Sequence, residues 1–397
     1  MTQIAALSNG LRLVHRKVPG APVDYCGVVI YAGSRDDEKE ALGTAHFVEH
    51  TIFKGTLRRQ SWHIINRMER IGGELNAYTT KEETVVYTAA PSGNMPRAME
   101  LISDLIINSR FPSSELDKER DVIIDEINSY LDSPAEAVYD DFEDLIYENT
   151  SLGHNILGEK RHIQDIDSDD CIAYLKKWYT AQNMVVFYSG AIGFDRVKLT
   201  VERYFESLPT HNVSHMKLSK DFRGGEFDKI REIGSHQAHT VMGCVLGNRY
   251  SNDRHAISLL TNILGGPGMN SILNVALREK RGLVYSVDAS STMMADTGLF
   301  TVYFGCDPKD TIMCKDIVME KIHRLAEDGM TYCALKAAKK QYLGQLAVAS
   351  DNRENVAIST GRAALFYNSV QTTNEIISKV ESISVDQIRN VASVLTN

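Results

Sequence analysis

The sequence predicts an α+β protein of two tandem, similar domains, and three observations carry that expectation. Short β-rich runs and helix-period runs are interspersed along the whole chain rather than gathered at one end. A polar stretch without apolar period, residues 209–227 with its Gly224-Gly225, breaks the 397 residues near their middle. The same order of strand and helix signals then recurs, as internal duplication would give. The expected domains are residues 1–215 and 216–397.

In the first half, Val23 to Tyr31 is a continuous apolar run ending at Ala32-Gly33-Ser34 and predicts a buried strand. Ser61 to Ile71 carries Ile64, Ile65, Met68 and Ile71 at helical spacing, and Gly72-Gly73 stops it. Leu75 to Ala89 predicts a strand pair, with Thr84-Val85-Val86-Tyr87 its most β-rich part. Met99 to Ile107 predicts an apolar helix and Asn183 to Ser189 a strand.

The second half repeats the pattern. Thr240 to Leu246 predicts a strand, Ala256 to Leu264 a helix, and Leu283 to Ala289 and Gly298 to Phe304 two further strands. Thr311 to Leu325 predicts a helix. The helix-turn-helix stretch Glu100 to Glu126 has its counterpart in Asp316 to Gln345.

Composition narrows the function. Hydrophobic residues make up 43% and charged residues 24%, the mix of a soluble globular chain, which excludes a disordered or collagen-like one. No run approaches the ~18 apolar residues of a membrane helix, so no membrane insertion is expected. Met1 to Gly10 holds no basic segment followed by an apolar core, so a secretory signal is not expected there. A net charge of −9 argues against general nucleic-acid binding. The six cysteines, Cys26, Cys171, Cys244, Cys306, Cys314 and Cys333, form no C-x-x-C pair and read as buried free thiols of a reducing compartment.

The most informative segment runs from Gly43 to Gly55. It predicts a helix with Thr44 as N-cap and Gly55 just past its end. His46 and His50 stand i, i+4, so their imidazoles share one helix face and can reach one metal ion. Glu49 neighbours that face, close enough to take a proton from a water at the metal. H-x-x-E-H inverts the order of the H-E-x-x-H zinc-protease helix.

A catalytic zinc site takes three protein ligands, so a third is expected elsewhere. The helix predicted over Ser114 to Leu131, opened by a capping box at Ser114-x-x-Asp117, supplies candidates. Leu116, Ile123, Ile127 and Tyr130 form its apolar stripe, and Glu119 and Glu126, two turns apart, fall on the same stripe. Two carboxylates on an apolar face are costly unless paired or bound to metal.

His46-Phe47-Val48-Glu49-His50, followed by Glu119 and Glu126, resembles the signature of the pitrilysin-type zinc peptidases, family M16. It is most similar to the half-length members related to the mitochondrial processing peptidase β subunit. Glu126 follows His50 by 76 residues, the family's spacing to its third ligand. The resemblance implies one Zn2+ per chain held by His46, His50 and Glu126, with Glu49 as general base and Glu119 important without ligating. It extends to Gly72-Gly73-Glu74-Leu75-Asn76-Ala77-Tyr78-Thr79, which resembles the family's substrate-binding edge strand and implies peptide contacts at Asn76 and Ala77. Trp178-Tyr179 through Gly190 resembles the close of the first domain. Leu277 to Tyr285 resembles an Arg–Tyr motif, in which Arg278 and Tyr285 hold substrate backbone. Gly265-Gly266-Pro267-Gly268 resembles the family's glycine-rich approach to it.

What the resemblance implies is therefore a zinc metalloendopeptidase of the LuxS/MPP-like metallohydrolase fold, each domain a mostly antiparallel mixed β-sheet with helices packed on it. Short or unfolded peptides are the implied substrates, cut inside a chamber. One such unit leaves the chamber open, so a partner is implied: a second copy as homodimer, or a related subunit as heterodimer. A cytoplasmic bacterial location follows, or the mitochondrial matrix if a transit peptide has been removed. The alternatives are the catalytic subunit of a heterodimeric processing peptidase and a non-catalytic structural subunit of the core-protein type.

Overall fold

The computed structural model describes residues 2–219 and 222–396. Met1, where the N-terminal reading began, Asn397, and Lys220 and Asp221 of the expected linker lie outside them.

In chain order the first elements are β1 (Thr2–Ala6), β2 (Arg12–Lys17), β3 (Val23–Ile30), α1 (Thr44–Thr51), α2 (Ser61–Glu69), β4 (Glu74–Thr79) and β5 (Thr84–Pro91). Then come α3 (Met95–Asn108), α4 (Ser113–Leu131), α5 (Pro134–Ile146), α6 (Lys160–Asp165), α7 (Ser168–Trp178), β6 (Met184–Gly190) and α8 (Phe194–Phe205). After the linker follow β7 (Ala238–Leu246), α9 (Arg254–Gly265), β8 (Val284–Met293), β9 (Gly298–Cys306), α10 (Thr311–Glu327), α11 (Tyr332–Ala349), α12 (Arg353–Tyr367), α13 (Thr373–Ser382) and α14 (Val385–Val394).

Two compact units form. The first comprises Met1–Asn128, His154–Met216 and Ser350–Gln371; the second comprises Ser129–Gly153, Lys217–Ala349 and Thr372–Asn397. The contiguous halves 1–215 and 216–397 therefore need correction. The chain does change unit at residue 216, but α5 belongs to the second unit and α12 to the first. The reason is that each sheet has two apolar faces to cover.

In the first unit the sheet order is β1-β2-β6-β3-β5-β4, antiparallel except for the parallel pair β2 and β6. Successive side chains of a strand point to opposite faces. Val28, Val86 and Val186 accordingly pack with Phe47, Met99 and Ile102 on one face. Val29, Val85 and Val185, one residue along each strand, pack with Ala357, Ile358, Ala364 and Leu365 of α12 on the other. Burial on both faces is why these strands read as unbroken apolar runs. Gly361 lets α12 settle onto the sheet, because a Cβ there would stand 2.8 Å from a Val29 methyl.

The second unit follows the same logic with fewer strands. Its described sheet is β7-β9-β8, wholly antiparallel. Phe300, Val302 and Phe304 of the fully buried central strand β9 pack with Leu259, Leu260, Val318 and Ile388. Leu299, on the opposite face, packs with Phe142 and Ile146 of α5.

All six cysteines are free. Four are buried, Cys244 is half-buried, and Cys333 is exposed, contrary to the expectation of burial. Among the described residues no helix is long and apolar enough to cross a membrane.

Candidate metal centre

Helix α1 is launched by a residue the sequence reading missed. The Asp37 carboxyl accepts hydrogen bonds from the amides of Gly43 (2.8 Å) and Ala45 (2.9 Å). Thr44, expected as N-cap, is instead the first helical residue and donates its hydroxyl to the Ala41 carbonyl at 2.6 Å. Gly43, at φ +97°, supplies the left-handed turn into the helix. Ala45, Phe47 and Val48 are buried in the core, which fixes the face that carries His46 and His50. The helix ends at Thr51, short of Gly55.

Helix α4 begins at Ser113, so Ser114 lies in its first turn rather than at a cap. Leu116, Ile123 and Ile127 are buried as the stripe requires, whereas Tyr130 is exposed. Glu119 is buried and Glu126 half-buried.

These two helices bring the three expected ligands together. One donor atom each from His46, His50 and Glu126 lies within 4.8 Å of the others. Glu126 Oε2 stands 3.5 Å from His50 Nε2 and 3.8 Å from His46 Nε2. Both distances exceed a hydrogen bond. They are close to the ~3.3 Å that two bonds of about 2.0–2.1 Å span at a tetrahedral angle. The imidazole centroids lie 4.5 Å apart. His46 Nδ1 is buried with no partner in the protein, so this ring is not held by ordinary polar contacts. Two imidazoles and a carboxylate, convergent and with no hydrogen bond among the three, fit a zinc ion.

Electrostatics prepares the same set. Burial, then the nearby His50, depresses His46 to about 3, so the ring is neutral at physiological pH as a ligand must be. Burial opposes charge on His50, but Glu119, Glu49 and Glu126 outweigh it and raise its pKa. His50 Nδ1–H donates to Glu119 Oε1 at 3.1 Å, which leaves Nε2 with the lone pair aimed toward Glu126. The other oxygen of Glu119 pairs with Lys54 Nζ at 2.6 Å. Burial pushes the Glu119 carboxyl up, yet His50 and Lys54 together hold it below the usual range.

Glu49 is raised to about 7, chiefly by burial and also by Glu126, against opposing interactions with His50 and the Thr79 hydroxyl. Thr79 ends β4, the edge strand of its sheet, and β4 packs against α1. On that strand Asn76 is exposed and Ala77 half-buried.

Arg278 and Tyr285 belong to the second unit. Arg278 lies in the last turn of a π-helical segment, Asn274–Glu279, and its guanidinium lies 5.8 Å from the Tyr285 ring. Tyr285 sits where the β8–β9 register shifts between Val284 and Ser286, and it is 77% exposed.

Asp37, Lys54 and Thr79 were not singled out from sequence. Lys54 had a signal, since it continues the i, i+4 row from His50 toward the acidic stripe. Asp37 and Thr79 reach the site only through the folded loop and strand.

Comparison with known proteins decides the family. Residues 12–160 match the family described as Insulinase (Peptidase family M16), and residues 165–342 match Peptidase M16 inactive domain. An uncharacterized zinc protease of Bacillus subtilis is 30% identical over 388 residues, covering 98% of this chain and 94% of that one. The chain belongs to peptidase family M16. Among its M16 relatives, the mitochondrial-processing peptidase subunit beta of Lentinula edodes is 32% identical over 410 residues, covering 98% of this chain and 86% of that one. A protease from Helicobacter pylori superposes with a TM-score of 0.90 at 21% identity, covering 100% of this chain and 97% of that one. The peptidase M16 inactive domain from Pseudomonas fluorescens superposes at 0.92 with 19% identity, covering 100% and 95%. These two show the fold. His46, Glu49, His50, Glu119 and Glu126 fall within the first matched M16 segment, Arg278 and Tyr285 within the second.

Proposed function

We propose that this M16 chain is a zinc metalloendopeptidase acting on short or unfolded peptides, with one zinc ion held by His46, His50 and Glu126. The observation that carries the reading is the convergence of those three side chains beside Glu49. A zinc ion held there supplies Lewis acidity to the scissile carbonyl and acidifies the attacking water.

The remaining steps belong to the chain's own groups. Glu49, with a pKa near 7, accepts the proton of the attacking water and returns it to the leaving amine. Glu119 keeps His50 in the tautomer that leaves Nε2 free. The open edge of β4, with Asn76 and Ala77, takes an extended peptide as an added strand, a mode that tolerates many sequences. Arg278 and Tyr285 donate hydrogen bonds to substrate carbonyls. A second copy, which would bring its own Arg–Tyr pair, closes the chamber in a bacterial cytoplasm.

The identity to mitochondrial-processing peptidase beta subunits of Lentinula edodes and Bos taurus, 32% and 29%, favours one further reading. In it the chain is the catalytic subunit of a heterodimer, working in a mitochondrial matrix. A non-catalytic structural role is disfavoured by the intact ligand set. The deciding experiment is metal analysis of the purified chain with a chelator-sensitive assay on a mixed peptide library, alone and after gel filtration. Metal-free protein that cleaves equally well would end the proposal.

A further inference from the structure

Away from the metal centre, the first unit carries a cleft of ≈ 290 Å³ lined by Arg58, Arg59, Arg67, Arg70 and Arg97 with Trp62, His63 and Asn66. No acidic residue lines it, in a chain whose net charge is −9. Five guanidinium groups in one concavity repel one another and need counter-charge.

The protein supplies part of it from behind. Glu100 takes Arg59 at 2.5 Å and Arg67 at 3.0 Å, and Asp104 takes Arg59 at 2.5 Å. Those two carboxylates against five guanidiniums leave three charges unmatched. Among the described residues Arg70 and Arg97 have no carboxylate partner. Arg70 lies over the Trp62 ring at 5.4 Å, and Arg97 donates to the Arg67 carbonyl at 3.3 Å. The buried Nε of Arg67 finds no partner. An adjoining cavity of ≈ 630 Å³ shares Arg59 and Trp62 and adds Arg110, Lys54, which is paired with Glu119, and one carboxylate, Glu115, which is paired with Lys118.

We propose that this cleft is a binding site for a compact polyvalent oxyanion of the oligophosphate class. Guanidinium forks meet phosphate oxygens two at a time, and each phosphate group brings more charge than a carboxylate in the same volume. The concave shape suits a small anion better than a flat protein surface. Trp62 is half exposed, with Arg70 over its ring at 5.4 Å and the His63 ring 4.4 Å away by centroid. Recognition in this proposal rests on the phosphate groups rather than on an attached nucleoside.

The test is a titration of the full chain, zinc-loaded and metal-stripped, with inorganic tripolyphosphate, with adenosine triphosphate and with oligoglutamate, followed by calorimetry and by Trp62 fluorescence. Equal binding of tripolyphosphate in both metal states, weakened at least tenfold in Arg70→Ala/Arg97→Ala and weakened by added salt, is the expected result. Adenosine triphosphate should bind no tighter than tripolyphosphate. Binding confined to zinc-loaded protein would locate the anion at the metal instead and overturn the proposal. So would oligoglutamate outcompeting tripolyphosphate, unchanged affinity in the double variant, or no binding at millimolar concentration. A circular dichroism spectrum matching the parent shows that the double variant folds. None of these outcomes depends on peptidase activity.

Discussion

His50 donates its Nδ1–H to Glu119 across 3.1 Å, and this contact links the two helices that carry the candidate ligands. The bond fixes the imidazole tautomer and the ring's rotation. Glu119→Gln keeps the volume but removes the charge that Lys54 and His50 share. Outer partners of a metal ligand typically contribute 10–100-fold in affinity or activity. The variant should therefore bind zinc about 10–100-fold more weakly in a chelator-competition titration, with its fold intact by circular dichroism. Parental zinc affinity would show that the contact is incidental.

Losing a ligand should cost more than losing its support. His46→Ala and Glu126→Ala each leave two of the three donor atoms that now lie within 4.8 Å of one another. Both should fall beyond the ~100-fold upper end of outer-partner effects. His46→Ala also leaves a hole where a buried ring packs, so its thermal stability is measured alongside. Stoichiometric zinc in Glu126→Ala after dialysis would exclude that carboxylate as a ligand.

Much of this site was legible in the chain because its information is local. The i, i+4 pair His46 and His50 needs only a helix, and Glu119 and Glu126 need only a second one with an apolar stripe. The strands were legible for a related reason: Val28–Val29, Val85–Val86 and Val185–Val186 are buried on both faces, so hydrophobicity alone marks them. Exchange of α5 and α12 between the units was not legible. An amphipathic helix reports that it has an apolar face, not which sheet that face will meet. Asp37 escaped for the same reason, since its service to Gly43 and Ala45 spans a loop whose path no periodicity encodes.

Glu49→Gln separates chemistry from metal binding. The amide is nearly the same size but cannot accept a proton. General acid–base catalysis contributes ~10²–10⁴-fold, so kcat on a peptide library should fall by about that factor. Zinc content should stay at the parental level, because Glu49 is not in the ligand set. Peptidase activity equal to the parent's would assign the proton transfer to another group.

Asp37→Ala should loosen the helix that presents both histidines. The carboxyl takes two amides at the start of α1, and removing it leaves both without partners in a buried setting. Loss of a helix cap costs ~0.5–2 kcal/mol, and unmet buried donors raise that toward ~3 kcal/mol. Urea denaturation should show a loss in this range. Zinc should partly restore the midpoint, since binding to the folded state stabilises it by mass action. An unchanged midpoint in metal-free protein would mean that Thr44 and Gly43 suffice to start the helix.

Acid sensitivity has a source in His154, buried with its Nε2 2.9 Å from the Ser34 carbonyl. The ring donates to that carbonyl as a neutral imidazole. Burial first, and then the charge of Lys81, depresses its pKa from 6.5 to about 4. A histidine of the unfolded chain titrates near 6.5. Between these values the unfolded state binds the proton and the folded state does not. Stability from this residue is therefore complete above pH ~6.5 and is lost as the pH falls toward 4. At ~1.36 kcal/mol per unit the loss reaches at most about 3 kcal/mol. His154→Gln can still donate to Ser34 but does not titrate. Its urea-derived stability should accordingly decline less steeply from pH 7 to 4.5 than the parent's. His15 and His46, whose pKa values are also depressed, titrate in both proteins and cancel in the difference. Parallel curves would show that His154 binds its proton in the folded chain as readily as in the unfolded one.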